Sequence, residues 1–148
     1  KQRGGHVITM SPPIDLDMVP GQIAYMLSKF GMTLIALGVA KEMREYNIRG
    51  TALWPKTIIE SYATINFGMG GRELWRKADI VADAAWEILQ HPERSNGRAL
   101  IDEDFLREVG YTDFERYACV EGKNPLPLSA DVMAAARAIM SAREQPAP

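Results

Sequence analysis

Tyr25 and Lys29, in the segment YMLSK, stand four residues apart. On a helix that spacing puts both side chains on one face, one turn from each other. A phenol titrates at about 10, too high for efficient proton transfer at neutral pH. A neighbouring ammonium favours the phenolate, so the pair predicts a tyrosine tuned toward general acid or base work. A serine hydroxyl reaching the same space, Ser11, would hydrogen-bond and polarise a carbonyl oxygen. None of the three accepts a hydride, so a redox reaction here would need a cofactor. The spacing is weak by itself: five tyrosines and six lysines in 148 residues make such a pair by chance about 0.2 times. Placement in the fold has to carry the rest.

The elements that would position these residues are legible. His6 to Met10 (HVITM) is a short β-branched run stopped by Ser11-Pro12-Pro13, which predicts a buried strand. From Gln22 to about Tyr46 the chain is free of proline and carries Ile23, Met26, Leu27, Phe30, Leu34, Leu37 and Met43 at helical spacing. Gly31 and Gly38 in that helix are expected to permit close packing, Lys41, Glu42, Arg44 and Glu45 to form its solvated end, and Asn47 to close it. Gly50 to Trp54 (GTALW) reads as a second strand, ended by Pro55. Lys56 to Arg76, with Gly68, Gly70 and Gly71, reads as partly helical and mobile. Lys77 to His91 is an amphipathic helix stopped by Pro92, Gly97 to Asp102 a third strand, Glu103 to Val109 a short helix, and Ala130 to Arg143 an alanine-rich one.

Strand, helix, strand, helix, strand predicts an α/β fold with a parallel sheet and crossover helices. Such a sheet has a rim at the carboxyl ends of its strands, where ligands bind. Ser11 follows the first strand, Pro55 the second, and the first turns of the long helix, with Tyr25 and Lys29, lie at that same rim. Three parallel strands are few for a doubly wound sheet, which usually has about six. The chain is therefore expected to be one half of such a domain.

Composition narrows the function. Lys and Arg total 17 against 19 Asp and Glu, leaving no excess of positive charge to neutralise nucleic-acid phosphates. The longest largely apolar run, Met32 to Ala40, is about nine residues, short of the roughly 20 needed to span a bilayer. Cys119 is the single cysteine, no Cys/His pair has metal-ligand spacing, and no secretory segment follows Lys1. The expectation is a cytoplasmic protein acting on a small molecule, without a metal, a nucleic acid or a membrane span.

SPPIDLDMVPGQIAYMLSKFGM followed by NIRGTALWPKTIIES resembles the catalytic half of the short-chain dehydrogenase/reductase family, over about Gly5 to Asp102. The SPP and LWPKT strings resemble the branch that holds citronellol-type dehydrogenases. The resemblance implies the C-terminal half of a Rossmann-type domain: residues 1–148 a partial domain, with a core over 5–102, an extension over 103–148, and the N-terminal cofactor-binding half absent. The same resemblance implies an oxidoreductase that interconverts an alcohol and a carbonyl by hydride transfer with NAD or NADP. It implies that Tyr25 moves the substrate proton, that Lys29 lowers the tyrosine pKa and bonds the nicotinamide ribose, and that Ser11 orients the carbonyl, with Ser28 a less favoured alternative. Pro55-Lys56 stands where the family has Pro-Gly. The backbone beyond it would contact the nicotinamide carboxamide, with Thr57 and Ile58, then Ile59 and Ser61, as the candidates. The segment from Ile65 to Trp75 aligns with the family's substrate lid. The family's glycine-rich phosphate loop, ribose selector and active-site asparagine lie upstream of the matched stretch and have no counterpart in this sequence. Gly68-Met69-Gly70-Gly71 does not replace the loop, because it neither follows a strand nor opens a βαβ unit.

Family resemblance also implies a homo-oligomer assembled through the tyrosine-bearing helix, with Met32, Ile35 and Val39 supplying apolar surface. The alternative function is a catalytically silent or partner-binding module that lacks the dinucleotide-phosphate site. The extension from Glu103 to Ala130 would either reach a neighbour or cover the mouth of the site.

Overall fold

The computed structural model describes residues 4–144. Three strands, β1 (Gly5–Met10), β2 (Ile48–Trp54) and β5 (Ala99–Ile101), form a sheet in the order β1-β2-β5. All pairs are parallel, in a register that sets Gly5 beside Ile48, Met10 beside Leu53, and Trp54 beside Ile101. The predicted strands are all present, and their carboxyl ends share one rim.

Helix α1 (Ile23–Glu42) connects β1 to β2. It ends about four residues before the sequence pattern suggested, ahead of a single 3₁₀ turn over Arg44–Tyr46 that Asn47 closes in the left-handed conformation (φ 55°). Asparagine tolerates that region better than other non-glycine residues. The face of α1 turned to the sheet carries Met26, Thr33, Ala36 and Ala40. The larger Ile23, Leu27, Leu34 and Ile35 point outward and are exposed. Small residues face the sheet because the helix lies very close to it: a Cβ at Gly50 would meet the Ala36 carbonyl oxygen at 2.0 Å. This corrects the expectation for Gly31 and Gly38, where an added Cβ would touch nothing within 4 Å. The glycine that permits close packing is in the strand, not the helix.

By length and apolarity α1, with a mean hydropathy of 1.6, would suffice to cross a bilayer. One face of it packs against β1 and β2, and 22% of that stretch is buried.

Gly50, Ala52 and Trp54 face α1, while Leu53 faces the opposite side, the alternation a strand requires. There Leu53 and Leu100 pack on Ile80, Ala84 and Ile88 of α3 (Asp79–Gln90) and on Phe105 and Leu106 of α5 (Asp102–Glu108). Phe114 and Tyr117 complete this core, so the segment beyond residue 102 is part of the main hydrophobic body.

The stretch expected to be partly helical is so, and it also carries two short strands. It holds β3 (Ile58–Ile59), α2 (Tyr62–Asn66) and β4 (Trp75–Arg76), with β3 and β4 paired in parallel as a second, two-stranded sheet. Two-residue strands leave no periodicity to read. Ser61 caps α2, and its Thr64 returns the bond to the Ser61 backbone. The last helix, α6 (Ala130–Glu144), sets Ala136 against Ile58 and Trp75, covering the small sheet. A four-residue α4 (Pro92–Ser95) precedes β5.

Candidate active site

Ser11, Tyr25, Lys29, Pro55, Thr57 and Ile58 all line one cavity of about 230 Å³. It opens at the rim where β1 and β2 end, against the first turns of α1. Ile59 and Ser61 line it as well. Ser28 does not: it is exposed, and its Oγ donates to the Tyr25 carbonyl at 2.7 Å.

Ser11 is buried at the end of β1, its backbone N–H donating to Leu53 O. Its Oγ lies 2.7 Å from Thr33 Oγ1, and Thr33 Oγ1 also accepts a hydrogen bond from Trp54 Nε1 at 3.1 Å. With the indole N–H on one lone pair, the threonine hydroxyl is free to donate its own proton to Ser11 Oγ. Ser11 then keeps its O–H for a group in the cavity.

Tyr25 is about half exposed, one turn before Lys29. The Lys29 ammonium lies over the ring, 5.7 Å from its centroid. Burial pushes the Tyr25 phenol above its ordinary pKa. The expectation that the ammonium lowers it is not met in this arrangement, since the cation sits against the ring face and burial disfavours the phenolate.

Thr57 is buried, and its hydroxyl donates a long 3.3 Å bond to the Ile58 carbonyl. Between Pro55 and Thr57, Lys56 turns away from the cavity toward acidic residues at the start of α5. Apart from Gln22 and Thr64, the rest of the lining is apolar, chiefly Met10, Met18, Met26, Met69 and Met133 with Leu128. Methionine is unbranched and adaptable, which suits a wall that accommodates varied shapes. Met69 belongs to the glycine-bearing segment, where Trp75 Nε1 donates to its carbonyl at 2.7 Å. Leu128 and Met133 come from the C-terminal segment, which therefore covers part of the mouth.

Sequence reasoning missed Thr33, Trp54, Leu128 and Met133. Thr33 had a signal, because it continues the Tyr25–Lys29 stripe by one more turn of helix. Trp54 stands directly before Pro55, but only the sheet shows that it faces α1. Leu128 and Met133 reach the cavity by tertiary packing that no local pattern encodes.

A parallel half-sheet with a serine, a tyrosine and a lysine gathered at its carboxyl rim defines a dehydrogenase-type Rossmann fold. No family model matches the chain. Its sequence is 39% identical over 130 residues to hydroxysteroid dehydrogenase-like protein 2 of Mus musculus, matching 86% of this chain and 26% of that protein. The Homo sapiens protein of the same name is 40% identical over 125 residues, 82% of this chain and 30% of its own length. In structure the chain is similar to a short-chain dehydrogenase from Mycobacterium thermoresistibile, with a TM-score of 0.72 and 38% identity over 85% of this chain and 46% of that one. A putative dehydrogenase from Xanthomonas campestris gives a TM-score of 0.74 and 32% identity over 86% and 48%. The chain thus resembles short-chain dehydrogenases over most of its own length, and it spans about a quarter to a third of these curated relatives and just under half of these solved structures.

Proposed function

We propose that this chain forms the catalytic half of a nicotinamide-dependent oxidoreductase that interconverts an alcohol and a carbonyl. The observation that carries the reading is the convergence of Ser11, Tyr25, Lys29, Pro55, Thr57 and Ile58 on one cavity at the sheet rim. The family of its relatives supports the reaction class.

The cavity fits the nicotinamide end of such a cofactor. Among the described residues no carboxylate lines it and Lys29 is its one cation, and the Thr57 hydroxyl makes only a long 3.3 Å bond to the Ile58 carbonyl. Lys29 and Tyr25 would hold the ribose, and Pro55, Thr57 and Ile58 the carboxamide. When bound, the cofactor supplies or accepts the hydride. The chain's own residues do the rest. Tyr25 holds the proton at its phenol oxygen and passes it to, or takes it from, the substrate oxygen. Ser11, its Oγ fixed by Thr33, directs its O–H at that same oxygen and orients the carbonyl. The raised phenol keeps Tyr25 protonated at neutral pH, the form needed for carbonyl reduction. The apolar methionine wall excludes water from the reacting atoms.

The substrate is a small alcohol or carbonyl compound, and NAD and NADP both suit the residues present. The protein works as a homo-oligomer through the outer face of α1.

The test is Tyr25→Phe in the full-length protein. Turnover of alcohol or carbonyl substrates should fall at least a hundredfold while NADH or NADPH affinity changes little, because proton transfer typically contributes about 10²–10⁴-fold. Undiminished turnover would rule the assignment out.

A further inference from the structure

The loop after β2 is held from three directions through one residue. The Lys56 backbone N–H donates to Asp102 Oδ1 at 3.0 Å, and its carbonyl accepts from the Leu128 N–H at 2.7 Å. Its Nζ lies 3.1 Å from Glu103 Oε1 and 3.0 Å from Asp104 Oδ1. Pro55 and Thr57, on either side, line the cavity. We propose that Asp102 is a positioning residue that sets the cofactor-facing Pro55–Ile58 loop by gripping the Lys56 backbone, with Leu128 closing the grip from the C-terminal segment. This rests on the function proposed above.

Asp102 is ill-suited to a purely structural task. It is almost completely buried, and although its Oδ1 serves both Lys56 N–H and Glu103 N–H, its Oδ2 is buried with no partner among the described residues. A buried carboxylate with an unmatched oxygen carries a desolvation cost that an amide or an apolar side chain would not. Capping α5 requires only the local bond to Glu103. The bond that crosses from the end of β5 to the end of β2 is the one that reaches the cavity wall. A charged acceptor strengthens it, which restrains the backbone on either side of Lys56. Lys56 replaces the glycine of the family pattern at a position where its side chain meets Glu103 and Asp104. The Pro55-Lys56 turn and the Asp102-Glu103-Asp104 run thus form a matched pair across the rim. Through Leu128, the segment that covers the cavity mouth is attached to the same point.

The experiment compares Asp102→Ala and Asp102→Asn with the unaltered full-length protein. It measures NADH and NADPH affinity, the KM and kcat for cofactor, and amide exchange across residues 56–59. Asp102→Ala should weaken dinucleotide binding about tenfold, the worth of one charge-assisted hydrogen bond. It should raise KM more than it lowers kcat and speed exchange at Lys56 to Ile58. Asp102→Asn, which keeps an acceptor at the same place, should restore most of the affinity. A lower melting temperature with unchanged affinity and exchange would show a merely structural role and overturn the proposal. Should Asp102→Ala not fold, Leu128→Pro, which deletes the N–H reaching the Lys56 carbonyl, must weaken binding in the same direction, and unchanged affinity there is equally fatal. If the unaltered protein binds neither dinucleotide, the proposed function falls first; faster exchange at Lys56 to Ile58 in Asp102→Ala would still show the grip.

Discussion

The hydroxyl oxygens of Ser11 and Thr33 lie 2.7 Å apart, both buried, joining the end of β1 to the middle of α1. Trp54 Nε1 adds a third element by donating to the same threonine. Thr33→Val keeps the volume but leaves Ser11 Oγ and the indole N–H without this partner. Unfolding in denaturant should show a loss of about 1–3 kcal/mol, the usual cost of stranding buried polar groups. If Ser11 orients a substrate carbonyl, kcat in the full-length protein should fall about tenfold as its hydroxyl swings free. A stability loss with unchanged kcat would detach Thr33 from the reaction.

Two glycine substitutions should act with opposite signs. Gly50→Ala places a methyl 2.0 Å from the Ala36 carbonyl oxygen, and neither the strand nor the helix backbone can yield cheaply. The expected loss is about 1–3 kcal/mol or more, with α1 and its Tyr25 displaced from the rim. Gly38→Ala meets open space and should stabilise an isolated chain by up to about 1 kcal/mol through helix propensity. Thermal melts of both variants check this directly.

That contrast also shows what was legible in the sequence. The parallel topology was readable, because β-branched runs stopped by proline alternate with long periodic segments. The meeting of Ser11, Pro55 and the start of α1 on one cavity was readable as well, since one topological rule places them together. Side-chain facing was not. Apolar Leu27 and Leu34 looked like the buried stripe, yet the close approach at Gly50 admits only small residues between helix and sheet. The two-residue strands β3 and β4 and the cover from Leu128 and Met133 depend on contacts between distant parts of the chain, which periodicity does not record. The phenol shift was misread for the same reason, as spacing gives proximity of Lys29 but not where its ammonium sits.

The outer face of α1 predicts association. Leu27, Leu34 and Ile35 are exposed on it, and Gly31 and Gly38 leave room for another backbone to come near. Light scattering on the full-length protein should give a dimer or larger, and Leu34→Asp with Ile35→Glu should shift it to the monomer. An unaltered monomeric mass would refute the assembly. The effect of Gly38→Ala would then be the same at every protein concentration.

Asp102 and Glu103 should give opposite pH dependences to stability. Burial pushes the Asp102 carboxyl up to about 6 from an ordinary 3.8. Glu103 is also buried, but Arg76, Lys56 and Arg107 all donate to it and hold it down at about 2. For Asp102 the folded state binds the proton more tightly than the unfolded chain. Its burial therefore costs stability above pH 6, and the cost is relieved as pH falls from about 6 toward 4. For Glu103 the sign reverses: its stabilisation is complete above about pH 4.5 and is lost as pH falls from there toward 2. The two shifts are separable by mutation. Asp102→Asn removes the first, so the difference between variant and unaltered protein should favour the variant at pH 7 by about 1–3 kcal/mol and shrink as pH is lowered through 6. Taking the difference cancels other titrating groups, including His6, whose pKa burial lowers. Glu103→Gln instead strands Arg76 in the interior and should cost about 3–5 kcal/mol at pH 7, with its penalty shrinking as pH falls from about 4.5 toward 2. Urea unfolding at about pH 7, 5.5, 4 and 2.5 measures both differences, and a pH-independent gain for Asp102→Asn would mean that the carboxyl is not held up by its burial.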